Sequence, residues 1–211
     1  MMNYNIGAIK QQLGNRKPNI LGHEKMKKSA VMLPLLREGG ETHLLFEVRA
    51  KTLRTQPGEI CFPGGRVDDE DKNEEETAVR ETCEELGINN GDIEIAAPLD
   101  VLVMPYKLLI YPFVGVVSET AVLKPNESEV GEVFSVPLKE LLTQNPDRHH
   151  VDLHVRPNES FPFHLIPNGK AYKWRSTQIA EYFYTYQDYV IWGLTARILH
   201  HFLQLVEKEG I

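Results

Sequence analysis

Glu81, Glu84 and Glu85 are the residues of this chain whose types and spacing are best suited to chemistry. On a helix of 3.6 residues per turn, Glu81 and Glu85 stand one turn apart with Glu84 beside them. Like charges at that spacing repel by roughly 0.2–0.5 kcal/mol even when exposed, and by more when partly buried. A hard divalent cation with oxygen ligands turns the repulsion into a binding site and leaves room for water and phosphate. Taken alone, the same residues also allow a solvated acidic face. Arg80, next in line, is placed to orient the carboxylates through salt bridges. Upstream, Arg49 and Arg54 carry guanidinium forks that match phosphate oxygens bidentately, although surface arginines in a loop read the same way. Gly64 and Gly65, after Phe62-Pro63, let the backbone approach a metal or phosphate closely.

These residues need elements to hold them. A helix is expected over residues 73–87, with Asp71 or Asn73 as its cap, Glu74-Glu75-Glu76 against its positive pole and Gly87 at its end. Glu76 precedes Arg80 by four residues, the favourable order for an ion pair. Val79, Thr82, Cys83 and Leu86 share the arc that should face the core. Ala30 to Leu36 and Thr42 to Arg49 read as strands joined by a turn through Gly39-Gly40. Pro34 marks the first as an edge strand or a bulged one. Pro57-Gly58 reads as a turn, and Ile60 to Phe62 as a short strand running into the Pro63-Gly64-Gly65 corner.

Arg80-Glu81-Thr82-Cys83-Glu84-Glu85-Leu86-Gly87-Ile88 resembles the second half of the Nudix hydrolase box, G-x5-E-x7-R-E-U-x-E-E-x-G-U, where U is aliphatic. Thr82 replaces an aliphatic residue, Asp71 stands six residues after Gly65 in place of Glu, and Arg80 follows one residue late. The extra loop residue and the Asp are similar to the coenzyme A pyrophosphatase branch. Arg49-Ala50-x3-Arg54-x3-Gly58-x3-Phe62-Pro63-Gly64-Gly65 resembles that branch's signature L-L-T-x-R-[SA]-x3-R-x3-G-x3-F-P-G-G, with Leu45, Phe46 and Glu47 at its first three positions. Ile191-Trp192-Gly193-Leu194-Thr195-Ala196 is also typical of the branch.

The resemblance implies an α/β fold, the Nudix α/β/α sandwich with a mixed sheet, and a box region over residues 62–88. It implies Mg²⁺ or Mn²⁺ bound by Glu81, Glu84, Glu85 and Gly64, and a catalytic set of Arg80, Glu81, Glu84, Glu85 and a further glutamate. Glu129 fits that last place best, in Glu129-Val130-x-x-Val133-Phe134-x-Val136-Pro137-Leu138, with Glu127 and Glu132 as rivals. Arg49, Arg54, Gly58 and Gly65 are the implied substrate-binding residues. The implied reaction splits coenzyme A or an acyl derivative into 3′,5′-ADP and 4′-phosphopantetheine or its acyl form. The alternatives are a Nudix pyrophosphatase for ADP-ribose, NADH or a nucleoside triphosphate, and more distantly a nonenzymatic nucleotide-binding module.

Composition agrees with one globular enzyme. At 211 residues the chain is long enough for a substantial core, and residues 1–211 are expected to form a single domain. A net charge of −7 argues against nonspecific nucleic-acid binding through a broad basic surface. A polyanionic small-molecule substrate would therefore be received locally, by a metal and a few arginines. The two cysteines, Cys61 and Cys83, make no disulfide framework and read as small buried thiols. No run approaches the ~18 apolar residues of a membrane span, residues 1–30 show no signal peptide, and Glu209-Gly210-Ile211 is not a peroxisomal ending, so a cytoplasmic location is expected. A homodimer is compatible with the sequence.

In the rest of the chain, residues 1–29 read as a short amphipathic helix over 5–14 followed by a polar surface extension, whose Lys25, Lys27 and Lys28 form a solvated charge run rather than a phosphate site. Asp92 to Val103, Leu108 to Val117 and Val133 to Val136 read as strands, and Pro137 to Leu142 as a short helix with Pro at its start. The loop Met104-Pro105-Tyr106-Lys107 is placed to line the pocket. Val151 to Val155 and Phe163 to Ile166 are strand-like runs. His149, His150 and His154 read as surface histidines, because no second ligand cluster with zinc spacing accompanies them. Glu181 to Tyr186 alternates as a strand does, with tyrosines that pack rather than stack on a base. Val190 to Val206 carries Ile191, Leu194, Ile198, Phe202 and Leu205 at helical intervals. That helix and residues 1–30 are candidates for gripping a pantetheine arm.

Overall fold

A computed structural model describes residues 5–209. Met1 to Tyr4 of the N-terminal extension and the Gly210-Ile211 ending lie outside the described residues. The chain begins with helix α1 (Ile6–Leu13) and then enters β1 (Lys27–Glu38), β2 (Glu41–Arg49), β3 (Ile60–Cys61) and β4 (Gly64–Arg66). Helix α2 (Glu74–Leu86) leads into β5 (Ile93–Pro98), β6 (Leu102–Met104), β7 (Leu108–Val117) and β8 (Val130–Pro137). Helix α3 (Leu138–Thr143), β9 (Asp147–His154), β10 (Ser176–Tyr186), β11 (Tyr189–Ile191) and helix α4 (Gly193–Glu209) complete the order.

Eight strands form one sheet along the path β3-β2-β1-β7-β5, with β4 also on β1, β6 on β7 and β8 on β2. The β1–β7 pairing is parallel and the others are antiparallel, so the sheet is mixed. A second sheet has the order β11-β10-β9. Alternation along β1 sorts the core onto two faces. Ala30 and Met32 pack with Ala78 of α2 on one face, while Leu33 packs with Leu199 and Phe202 of α4 on the other. The fold is α/β, a mixed sheet between helices.

Several elements differ from their sequence reading. Strand β1 is central, with β2 and β4 along one side and β7 along the other. Pro34 is tolerated there because the pairs with β4 end at Val31 and those with β2 begin at Leu35, so its missing N–H falls at the change of partner. The long run 92–103 is broken into β5 and β6, with Pro98 at the end of the first. Phe163–Leu165 is a single 3₁₀ turn, and Tyr189–Ile191 is a strand, so the last helix starts only at Gly193. Pro137 caps α3 instead of opening it. Ile6, Ile9 and Leu13 of α1 are all exposed.

Helix α2 keeps its expected ends. The Asn73 side chain accepts the Glu76 amide at 2.8 Å, and Gly87 ends the helix at φ +64°, where a Cβ would lie 2.0 Å from the Lys124 carbonyl oxygen. Thr82 and Leu86 are buried with Ala78, and Val79 and Cys83 are half-buried. The Glu76–Arg80 pair does not form. Glu76 turns back to the amide and ammonium of Lys72, at 2.7 and 3.1 Å, because Arg80 has better partners.

Candidate active site

Those partners make Arg80 the centre of an acidic cluster. Its Nε and Nη2 donate to the two oxygens of Asp71, each at 3.0 Å, and Nη1 donates to Glu81 at 2.9 Å and to Glu84 at 3.4 Å. Nη2 also reaches the Arg66 carbonyl at 3.4 Å. The bidentate arrangement fixes the guanidinium plane, so Arg80 orients Glu81 and Glu84 from behind. Asp71 is fixed in turn by the Asp68 amide at 3.0 Å and the Thr77 hydroxyl at 2.8 Å. The hydrogen bonds from Arg80 hold its carboxyl well below the usual carboxylate range.

Glu85 takes another direction. It is buried, and its Oε2 accepts the Gly64 amide at 2.7 Å. Gly64 sits at φ +153°, where a Cβ would lie 2.3 Å from the Ala30 carbonyl oxygen. A Cβ at Gly65 would lie 2.2 Å from the Glu81 carboxyl carbon, so Gly65 leaves open the volume in which Glu81 sits. The two glycines therefore let the β4 corner press against α2. Burial first, then the neighbouring charges of Glu47, Glu81 and Glu129, pushes the Glu85 carboxyl upward. Burial also raises Glu81, against the lowering effect of Arg80.

The loop before β8 supplies Glu129. The Asn126 amide donates to the Glu85 carbonyl at 2.9 Å, the Glu129 amide to the Asn126 carbonyl at 2.9 Å, and the Ala50 amide to the Glu129 carbonyl at 2.8 Å. This strap sets Glu129 between the end of α2 and the end of β2, half-buried, where its charge raises Glu47, Glu81 and Glu85. Glu127 is exposed, and Glu132 accepts the Tyr189 hydroxyl.

The implied substrate-binding residues are not gathered equally. Arg49 ends β2 on the edge of the cluster, where its charge lowers Glu47, and its Nε is buried without a hydrogen-bond partner among the described residues. The Gly58 amide donates to the Arg49 carbonyl at 3.0 Å, and Gly58 has φ +75°, so residues 49–58 close a loop. Arg54 lies exposed on that loop. Lys28 is engaged by Glu74 at 2.8 Å instead of standing in a solvated run. His149, His150 and His154 lie exposed on β9, and Tyr184 is buried with its hydroxyl 2.7 Å from His200 Nδ1.

Two acids have roles that the sequence reading does not assign. Asp71 passes for a cap or a loop acid until Arg80 is seen to grip it. Glu47 is 1% exposed on β2, with Oε1 accepting the Cys61 thiol at 3.2 Å. Besides its departure from the signature, the signal for Glu47 is parity, since it shares a strand face with Leu45, which packs with Leu86 of α2. Burial, with the charge and hydrogen bond of Glu47, pushes the Cys61 thiol far above its ordinary range. Cys61 and Cys83 are both free and half-buried.

Among the described residues, no three carboxylates close into a ready metal cluster. Glu81 and Glu84 lean on Arg80 while Glu85 turns to Gly64, each finding the nearest donor. The donors nevertheless fit a hard divalent cation. They are carboxylate oxygens, the Cys61 thiol is pushed away from the thiolate form by burial and by Glu47, and the buried Glu47 Oε2 has no hydrogen-bond partner among the described residues.

A carboxylate-bearing helix pressed on a glycine corner of a mixed sheet is the arrangement expected of a Nudix hydrolase, and residues 26–157 match the NUDIX domain. The chain belongs to the Nudix hydrolase family and is an enzyme of that class. It is similar to the peroxisomal coenzyme A diphosphatase NUDT7 of Mus musculus, 33% identical over 176 residues that cover 83% of this chain and 69% of that protein. It is similar also to the uncharacterized Nudix hydrolase NudL of Photorhabdus laumondii, 34% identical over 181 residues and 86% of each chain. The peroxisomal coenzyme A diphosphatase ndx-8 of Caenorhabditis elegans is 38% identical over 128 residues, 59% of this chain and 53% of that one. No helix among the described residues is long and apolar enough to cross a membrane.

Proposed function

We propose that this enzyme hydrolyses the pyrophosphate bond of coenzyme A or an acyl derivative, releasing 3′,5′-ADP and 4′-phosphopantetheine or its acyl form. The observation that carries the reading is the course of residues 49–65, in which β2 pairs with β3 and the Gly64-Gly65 end of the coenzyme A branch signature lies against Glu85 and Glu81 of α2. The similarity to two proteins named as coenzyme A diphosphatases supports the same substrate.

Glu81, Glu84, Glu85 and Glu129 would hold Mg²⁺ or Mn²⁺, with the Gly64 backbone beside them. Bound there, the cation would neutralise the diphosphate and activate the attacking water. Arg80 keeps Glu81 and Glu84 in place, and Asp71 keeps Arg80 in place. Arg49 and Arg54 receive phosphate oxygens in this reading. One glutamate, Glu85 or Glu129, takes the proton of the water as general base. The bridging oxygen leaves with the phosphate on the other side of the broken bond.

Residues 5–209 act as one unit in this reading, because the core under α4 joins Leu33 and Phe46 of the large sheet to Tyr184 and Leu199 of the C-terminal elements. A cytoplasmic location belongs to the same proposal; the mouse and nematode relatives are named as peroxisomal, and a fluorescent fusion decides between the compartments.

The test is product analysis by mass spectrometry on a panel of coenzyme A, ADP-ribose, NADH and nucleoside triphosphates with Mg²⁺ or Mn²⁺. Metal-dependent release of 3′,5′-ADP at the best kcat/KM of the panel is the expected result. Preferred turnover of another diphosphate would keep the Nudix chemistry and discard coenzyme A as the substrate.

A further inference from the structure

Glu47 stands where the branch signature has threonine, and no catalytic or binding role has been given to it. Its neighbour Phe46 stacks on Phe62 and Phe134, with ring centroids 4.9 and 5.4 Å apart, in the core under α4. Strand alternation then sends Glu47 to the opposite face, the one that α2 covers. Directly across the ladders lie Cys61 of β3 and Val133 of β8. The carboxylate is 1% exposed, Oε1 takes the Cys61 thiol, and Oε2 has no partner among the described residues.

A buried acid of this kind is costly unless something compensates its charge. The ion pairs of the described residues give Arg80 to Asp68, Asp71, Glu81 and Glu84, and they leave Glu47, Glu85 and Glu129 without one. Glu47 and Glu85 are both buried, Glu47 bound by the Cys61 thiol and Glu85 by the Gly64 amide three residues further along the same segment. Arg49, two residues further along the chain and past a break in the β2–β8 register, eases Glu47 without pairing with it. The cluster thus has more buried carboxyl groups than cationic side chains to meet them, and one carboxyl oxygen without a partner among the described residues.

We infer that Glu47 is a further acid of the metal site, its free Oε2 contributing to cation binding beside Glu85. The inference rests on the reading of Glu81, Glu84 and Glu85 as holders of a divalent cation. A purely structural Glu47, satisfied by its thiol contact, is the competing account.

Calorimetric titration of the metal-free full chain with Mn²⁺ separates the two, using wild type, Glu47→Gln, Glu47→Thr and Glu85→Gln, each with a melting curve taken without metal. Both Glu47 variants are expected to bind Mn²⁺ about tenfold or more weakly, with a metal-free Tm equal to or above that of wild type. Wild-type affinity in a folded Glu47 variant overturns the inference. If Glu85→Gln alone loses affinity, the metal site stands and only the role of Glu47 falls. If wild type binds no Mn²⁺, or Glu85→Gln binds it unchanged, the underlying reading fails and this inference with it. Should Glu47→Gln lack a cooperative melt, Glu47→Thr carries the comparison; loss of fold in both marks Glu47 as structural and overturns the inference.

Discussion

Arg80 and Asp71 are joined by two parallel hydrogen bonds, Nε to Oδ1 and Nη2 to Oδ2, each 3.0 Å long. This pair fixes the guanidinium that holds Glu81 and Glu84, so Asp71 acts on the site without touching it. Asp71→Asn removes the charge and one acceptor while keeping the shape. The expected result is a kcat lowered about 10–100-fold, as for other lost supports of a metal site, and a stability loss of about 1–3 kcal/mol. Wild-type kcat with a full stability loss would make the pair structural only.

The same pair sets an acid limb on stability. A carboxyl whose folded pKa lies below its unfolded value of about 3.9 contributes stability above that value and loses it as pH falls through the folded one. Arg80 depresses Asp71 in this way. The stability gap between wild type and Asp71→Asn should therefore be level from pH 7 to pH 5 and begin to close near pH 4. Urea melts at pH 7, 5 and 3 measure it, and a gap unchanged at pH 3 would refute the linkage.

Gly65 offers a mutation with little cost to the fold. An added methyl would overlap the Glu81 carboxylate, with no backbone atom among its three nearest neighbours. Gly65→Ala should push that carboxylate aside and lower kcat by about 10²-fold, the scale of a 1 Å misplacement, while Tm moves little. By contrast, Gly64→Ala meets the Ala30 carbonyl and the Val31 backbone and should lower Tm sharply. Equal Tm losses in the two variants would contradict the geometry.

How much of this was legible in the sequence depends on the range of the interaction. Helix α2 was readable end to end, because caps and periodicity are local, and Glu81, Glu84, Glu85 and Arg80 came with it. The partner of Arg80 is not legible there, since i,i+4 spacing favours Glu76 while the folded loop delivers Asp71 with two oxygens. Pro34 misled for a related reason, as its tolerance depends on where β4 hands over to β2. Glu47 shows in the sequence as a departure from a motif, and only the pairing of β2 with β3 and the approach of α2 reveal a buried acid. Arg54 matches the signature, yet its loop leaves it exposed, and sequence spacing alone carries no word on that.

The strongest consequence of the buried acids lies in how stability responds to pH and metal. Burial, and for Glu85 the charge of Glu47 as well, raises the folded pKa of both groups. Above the unfolded value of about 4.3, the native state therefore holds more protons than the unfolded chain, and metal-free stability falls as pH rises through neutrality. A divalent cation binds the ionised forms and expels those protons. The metal-free Tm should thus be lower at pH 8 than at pH 6, saturating Mg²⁺ should raise Tm more at pH 8, and Glu85→Gln should flatten both trends. In turnover, Glu85→Gln should cost several orders of magnitude. Differential scanning calorimetry with EDTA or Mg²⁺ at the two pH values reads the first set directly. A Mg²⁺ effect that is larger at pH 6 would mean that the cation does not compete with protons at these carboxylates, and the assignment of Glu85 to the metal would have to be given up.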